Sequence, residues 1–503
     1  MGLSGFLGCG QTRLKRSTKK PNIVYILADD LGYGDVSCFN ENGKIDTKNI
    51  DSVAKEGMIF TDAHSGSAVC TPTRYGVVTG RYAWRTRLKE GVLGGWSKPL
   101  IKPDRMTVAS MLKKNGYNTG CVGKWHLGWD WALTDENADV NNWMLDAKNV
   151  DFTQPIKQGP TERGFDYYFG IPASLDMTPY VYVENDRVTA LPNGITPGSK
   201  GKTFWRKGAI APDFKHIEVL PKITEKAVSF IDAQPGDKPF FLYFPLSAPH
   251  KPILPGKEFQ GKSGLNEWGD FVLQVDWTVG QILKALKRKG FEDNTLIIVT
   301  SDNGATPGAD FAHLEKFGHN PSYIFRGYKA DIFEGGHRMP FIAKWPGKIK
   351  PGSTSDETIC HTDLMATAAD IVGYELPDNA GEDSVSILPA LLSKKYKKPL
   401  REATVHHSLN GSFSIRKGKW KLELCPGSGG WSYPREDRKQ TKGLPPVQLY
   451  DLEKDIAETT NVQHEHPEII KELTDLLQSY IDRGRSTPGK NQTNEGQVLI
   501  RKI

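Results

Sequence analysis

Four short, almost uninterrupted apolar runs punctuate the first three quarters of the chain, at 22–28, 240–244, 295–300 and 340–345. Runs of this length without polar alternation read as strands buried on both faces, and each looks like a central strand of one sheet. Between them apolar positions recur with helical spacing, clearest over 49–56, 107–114, 223–231 and 271–289, with Gly57, Gly116 and Gly290 as stops. Strand and helix in alternation predict an α/β fold, a large and mainly parallel sheet sandwiched by helices.

After about Pro399 the texture changes. Residues 412–424 alternate around a turn at Lys417-Gly418, 447–451 reads as a further short strand, and 467–483 as a helix. A smaller C-terminal domain of antiparallel sheet plus helix is expected over 400–503, interrupted by the Gly/Pro/Ser-rich loop 425–446. The larger domain then spans 21–399, with 1–20 as a leader and linker.

Composition narrows the function. A chain of 503 residues exceeds the size of one growing core and is far larger than a minimal binding module. No stretch approaches the roughly 20 apolar residues of a transmembrane segment. A net charge of +6, with no long basic stripe, argues against a nucleic-acid partner and is compatible with an anionic substrate. The six cysteines, at 9, 38, 70, 121, 360 and 425, form no Cys-x-x-Cys pair, which speaks against a zinc ribbon, while one or two disulfides are allowed in an oxidising compartment. Residues 3–7 lead into Gly8-Cys9 and a basic linker, like the tail of a bacterial lipoprotein signal without its basic n-region. Either the true start lies elsewhere or the likeness is accidental; the former predicts an exported protein, periplasmic or lipid-anchored in a bacterial cell envelope.

Two buried runs end in acidic pairs, Asp29-Asp30 and Asp302-Asn303-Gly304. Open α/β sheets bind ligands at the carboxyl ends of their strands, and these oxygens form a hard donor set suited to Ca²⁺ or Mg²⁺. Either pair alone reads better as a turn or helix cap, whereas the two together point to a metal. In Cys70-Thr71-Pro72-Thr73-Arg74, Pro72 can start a helix, which places Cys70 at an anion-favouring N-terminus within reach of Arg74. The blander reading, a small buried Cys and a surface cation, stays open on these five residues.

The segment resembles the signature of the type I, formylglycine-dependent sulfatases of the alkaline phosphatase-like superfamily, Cys-x-Pro-Ser/Ala/Thr-Arg, with Thr73 where Ser is commonest. The resemblance runs from Asn22 to the C-terminal helix. It includes Leu449-Tyr450-Asp451-Leu452 and Glu458-Thr459-Thr460-Asn461, with Ile456 where relatives usually carry Pro, and is nearest the arylsulfatase A and N-acetylgalactosamine-6-sulfatase branch. It implies oxidation of Cys70 to formylglycine by a formylglycine-generating or anaerobic maturation enzyme. It also implies one Ca²⁺ held by Asp29, Asp30, Asp302, Asn303 and the modified residue 70. The block 123–128 assigns Lys124 and His126 to the site, Ala248-Pro249-His250 supplies His250, and Lys329 matches the lysine before Glu334-Gly335-Gly336-His337-Arg338.

In the chemistry so implied, Ca²⁺, Arg74, Lys124 and Lys329 neutralise the sulfate while a hydroxyl of the hydrated aldehyde attacks sulfur. His250, helped by Lys329, protonates the leaving alcohol; His126 takes the second hydroxyl's proton as the formylglycine-sulfate intermediate collapses. Asp176 and Tyr180, in a long loop, and Arg338 are expected near the leaving sugar. The tryptophans are left to core and rim packing. The function expected is removal of sulfate from a sulfated oligosaccharide, with 6-O-sulfated N-acetylgalactosamine or a galacto-configured unit of glycosaminoglycan or algal polysaccharide favoured. Two alternatives are a phosphatase or phosphonate monoesterase, and a non-catalytic binder of sulfated glycan. The first, in its two-zinc form, wants an Asp-His pair where this chain has Asp302-Asn303; the second normally loses metal or nucleophile positions that are intact here.

Overall fold

In the computed structural model, residues 19–435 and 439–500 are described; the leader-like segment 1–18 lies outside the described residues. The first apolar run forms the strand Asn22–Asp29, buried along its whole length because parallel neighbours, Phe240–Pro249 and Thr295–Ser301, flank it on both edges. Beyond Phe240–Pro249 stand Asn118–Lys124 and Tyr167–Ile171, also parallel, then the short antiparallel strands Val183–Glu184 and Arg187–Val188. On the other side Phe341–Lys344 runs antiparallel to Thr295–Ser301 and to Met58–Phe60, and Ser353–Ser355 closes a ten-stranded sheet. The sheet is thus mixed and mostly parallel, and the run at 340–345 is an inner strand of opposite direction.

Two of the five parallel inner strands escape the apolar-run criterion, Asn118–Lys124 and Tyr167–Ile171, because glycines interrupt them. Packing requires those glycines. A Cβ on Gly120 would lie 2.6 Å from the Phe230 ring, and one on Gly123, at φ +128°, would lie 1.9 Å from the Pro245 carbonyl oxygen. Helices Lys48–Lys55, Val219–Asp232 and Glu267–Arg288 pack together as one layer, while Cys70–Thr79, Val108–Lys114 and Leu364–Val372 form another. The helix predicted at 271–289 starts earlier, where the Asn266 side chain caps the Trp268 and Gly269 N–H groups.

The smaller sheet is antiparallel in the order Thr404–His407, Phe413–Lys417, Trp420–Glu423, Gln448–Asp451, and the helix Pro467–Asp482 lies on it. Leu473, Leu477 and Tyr480 share its core with Val405, Ile415 and Leu422, and also with Tyr82 and Trp84 of the larger unit. The disulfides allowed by the cysteine count are not formed among the described residues. No described helix is long and apolar enough to cross a membrane.

Candidate active site

Five parallel strands point their carboxyl ends at one edge of the sheet, and each delivers chemistry there. Asn22–Asp29 ends in Asp29-Asp30, Thr295–Ser301 leads into Asp302-Asn303, Phe240–Pro249 into His250, and Asn118–Lys124 into His126. Tyr167–Ile171 precedes the loop that carries Asp176. Register makes the convergence specific: Ala28 pairs with Ser301 and Asp29 with Pro249, so the acidic pairs and His250 come level. Asp30 (φ +70°) and His126 (φ +56°) both adopt the left-handed backbone region, which side-chain-bearing residues enter at a cost of about 1–3 kcal/mol.

Behind this edge the helix Cys70–Thr79 begins with the cysteine itself, fully buried. Arg74 is turned to the carboxylates: its Nε and Nη2 donate to Asp302 Oδ2 (3.0 and 2.7 Å), Nη1 donates to the Lys124 carbonyl (3.0 Å), and Nη2 stands 3.4 Å from Asp29 Oδ1. Lys124 Nζ pairs with Asp29 Oδ2 at 2.7 Å and Lys329 Nζ with Asp30 Oδ1 at 2.6 Å. The charges that act on the Cys70 thiol are Lys124, Lys329, Asp29 and Asp302, so all these groups share one small volume.

Within that volume several buried polar atoms have no hydrogen-bond partner among the described residues: Asp29 Oδ1, Asp30 Oδ2, Asn303 Oδ1 and His126 Nδ1. A buried oxygen normally finds a donor, so three unpartnered ones side by side mark a place for a cation. Atoms of Asp29, Asp30 and His250 lie within 4.8 Å of one another. Asp302 is already engaged, by Arg74 and by the Asp30 N–H (3.2 Å). Burial followed by the Asp29 charge pushes the Asp302 carboxyl up to about 7, whereas Lys124, His250 and Arg74 overcome burial and hold Asp29 well below the usual carboxylate range. Burial also raises the Cys70 thiol against the pull of the two lysines.

The histidines are oriented by backbone carbonyls. His250 Nδ1 donates to the Lys251 carbonyl (2.5 Å), which turns Nε2 toward Asp30 Oδ2 at 3.8 Å. His126 Nε2 donates to the Leu93 carbonyl (2.8 Å), which leaves Nδ1 as an acceptor. Burial and nearby cations keep both imidazoles neutral at ordinary pH.

A cavity of about 340 Å³ opens beside this cluster, lined among others by Asp176, His250, Tyr328, Lys329 and Trp431. A larger one of about 530 Å³, lined by Tyr182, Glu184 and Asp213, touches none of the clustered residues. Of the three residues expected near the sugar, Asp176 reaches the cavity wall, ion-paired with Arg206 through Oδ2 while Oδ1 has no hydrogen-bond partner among the described residues. Tyr180 and Arg338 do not line it. The Tyr180 hydroxyl donates to the Arg206 carbonyl (2.7 Å). Arg338 pairs with Glu334 (2.9 Å) and Asp62 (3.0 Å), in a network where Glu458 accepts the Glu334 N–H and binds Lys421.

Sequence reasoning missed Trp431 and Arg435 of the C-terminal loop, Tyr328, and the 306–308 turn. The only signal was the position of Asp331, two residues beyond Lys329. Its buried carboxylate accepts N–H groups from Trp431 (2.8 Å), Ser432 (3.0 Å) and Tyr328 (3.0 Å), tying the loop to the lysine's segment.

Gly304 holds the Asp302-Asn303 turn against the segment 334–336. Its N–H donates to the Gly336 carbonyl (3.0 Å), and a Cβ there would lie 1.9 Å from the Gly335 carbonyl oxygen. Gly304→Ala is expected to cost about 1–3 kcal/mol in urea unfolding, the usual range for overpacking, and to lower kcat/KM by at least about tenfold. Wild-type stability and turnover in this variant would show that the turn tolerates the shift.

A cluster of cations and carboxylates at the strand ends of a mostly parallel sheet defines an enzyme that handles a strongly anionic group. The sulfatase family model matches residues 21–374, and the chain belongs to that family; it is a sulfuric ester hydrolase. It is 37% identical to N-acetylgalactosamine-6-O-sulfatase of Bacteroides thetaiotaomicron, over 95% of this chain and 97% of that protein. Human arylsulfatase A is 32% identical, over 95% and 91%. A solved Bacteroides thetaiotaomicron structure, from work on its metabolism of multiple glycosaminoglycans, has a TM-score of 0.80 at 36% identity and covers 92% of this chain and 99% of its own.

Proposed function

We propose that the protein removes 6-O-sulfate from N-acetylgalactosamine, or from a related galacto-configured unit of a sulfated glycan, with Cys70 in the formylglycine form and one Ca²⁺ at the strand ends. The sugar rests on the 37% identity to an N-acetylgalactosamine-6-O-sulfatase across nearly both whole chains. The observation that carries the chemistry is the gathering of unpartnered Asp29, Asp30 and Asn303 oxygens beside Cys70.

The residues present fit the metal, since the unpartnered atoms are hard oxygen donors of the kind Ca²⁺ takes. Asp29, Asp30, Asp302 and Asn303 would hold it, and its charge would neutralise the carboxylates that now occupy Lys124 and Lys329. Formylglycine would supply a hydrated aldehyde as the nucleophile in place of a thiol that burial keeps protonated. The Lys251 carbonyl holds the proton of neutral His250 on Nδ1, so Nε2 is bare at rest and must first take up a proton, with Lys329 as the acid beside it, before it can protonate the leaving oxygen. His126 accepts a proton at Nδ1, the atom its hydrogen bond to Leu93 leaves free. Asp176 Oδ1 offers an acceptor to a hydroxyl of the leaving sugar. Maturation requires a separate enzyme that oxidises Cys70.

Mass spectrometry of the Cys70 peptide is expected to show the aldehyde. With converted protein, sulfate release from 6-sulfated N-acetylgalactosamine is expected to exceed release from the 4-sulfated isomer by at least about tenfold. Activity confined to aryl sulfates, or faster turnover of matched phosphate esters, would overturn the assignment.

A further inference from the structure

We infer that Lys251 and Arg435 form an outer anion subsite, with Trp431 as its floor, for a second acidic group on the saccharide unit next to the one that loses sulfate. The inference rests on the reading of the site as one for a sulfated saccharide.

The cations of the inner site are matched by carboxylates: Arg74 by Asp302, Lys124 by Asp29, and Lys329 by Asp30. Lys251 and Arg435, on the wall of the same cavity, have no carboxylate partner among the described residues. These two cations share the wall with Lys329 and with one carboxylate, Asp176, which is itself paired with Arg206, so the concave space favours anions. Each is also placed by the fold. The Lys251 stem lies across Gly308, where a Cβ would come within 2.2 Å of its Cε. Arg435 Nε donates to the Trp431 carbonyl (2.8 Å), which leaves its two terminal nitrogens for a ligand, and its charge acts on the Tyr328 phenol.

The loop is fastened to the catalytic segment. Trp431 and Ser432 donate to buried Asp331, the Ile332 N–H donates to the Ser428 carbonyl (2.7 Å), and a Cβ on Gly430 would clash with the Ala330 carbonyl at 2.4 Å. Trp431 is therefore fixed beside Lys329, half-buried and able to carry a sugar ring on its face. A planar guanidinium suits a carboxylate or a sulfate equally. The subsite thus accepts a uronate or a second sulfate ester, and it gives the smaller C-terminal unit a part in choosing substrate.

The test uses three disaccharides with the same 6-sulfated N-acetylgalactosamine: one joined to a uronic acid, one to its carboxyl-reduced counterpart, and one to a neutral sugar bearing a second sulfate. For wild type, kcat/KM is expected to favour each charged neighbour over the neutral one by roughly tenfold, the scale of one charge-assisted contact. Arg435→Ala is expected to bring that ratio to about twofold by raising KM for the charged substrates, and Lys251→Ala to lower it in part. The preference should also shrink as salt is raised. Whichever charged disaccharide loses more identifies the natural anion. A ratio unchanged by both substitutions overturns the subsite. Calorimetric binding of the same disaccharides to the Cys70→Ala protein separates this inference from the sugar assignment. If wild type releases no sulfate from any of them, yet Arg435→Ala weakens binding of the charged ones, the sugar assignment fails and the subsite stands. Equal binding to both proteins, or none to either, overturns it.

Discussion

Replacing Cys70 by alanine is expected to lower sulfate release by at least about 10⁴-fold, the scale on which loss of a nucleophile acts in other hydrolases, while leaving the protein folded. The side chain is small, buried and free of any disulfide, so its loss removes little apolar area. What remains is the cluster of Lys124, Lys329 and Arg74 with its carboxylates, which binds an anion and has no group to attack it. Urea unfolding is expected to place Cys70→Ala within about 1 kcal/mol of wild type, as for removal of one small buried atom. Steady-state sulfate release on the 6-sulfated sugar reads the loss. Retention of more than a hundredth of the activity would show that residue 70 is not the nucleophile.

Much of this site was legible in the sequence because its residues sit where strand chemistry changes abruptly. Asp29-Asp30 and Asp302-Asn303 interrupt apolar runs with buried carboxylates, something a strand tolerates only at its end, and both ends lie on the same edge. The strand carrying Lys124 was invisible to the same criterion, since Gly120 and Gly123 answer to neighbours that come close in space, and only resemblance placed that lysine. Tyr180 and Arg338 illustrate the opposite error. Both lie close in sequence to site residues, yet each is satisfied by interior partners, the Arg206 carbonyl and the Glu334 and Asp62 carboxylates. The loop 425–446 read only as a Gly/Pro/Ser-rich interruption, because the placing of Trp431 on the cavity wall depends on N–H groups donated across about a hundred residues to Asp331, which no local pattern records.

Arg74→Leu is expected to cost about 3–5 kcal/mol of folding stability, as when one partner of a buried charge pair is removed, and at the same time to strengthen the response to calcium. Arg74 is fully buried and holds Asp302 through two nitrogens. Without it Asp302 and Asp29 face each other with one cation fewer, and the carboxyl of Asp302, already pushed up to about 7 by burial and by Asp29, is held still less well in its charged form. A divalent ion would then relieve more repulsion than in wild type. The rise in Tm from chelated to calcium-saturated protein should therefore be larger for the variant, a comparison that ligand linkage makes quantitative. Should Arg74→Leu fail to fold when chelated, Arg74→Lys, which keeps the charge but not the two-pronged contact, is expected to fold with an intermediate calcium response. A destabilised variant whose calcium response matches wild type would make Arg74 a packing residue. An undiminished stability in chelated protein would mean that the carboxylates do not need the arginine, and that the balance of charge described for this cluster is wrong.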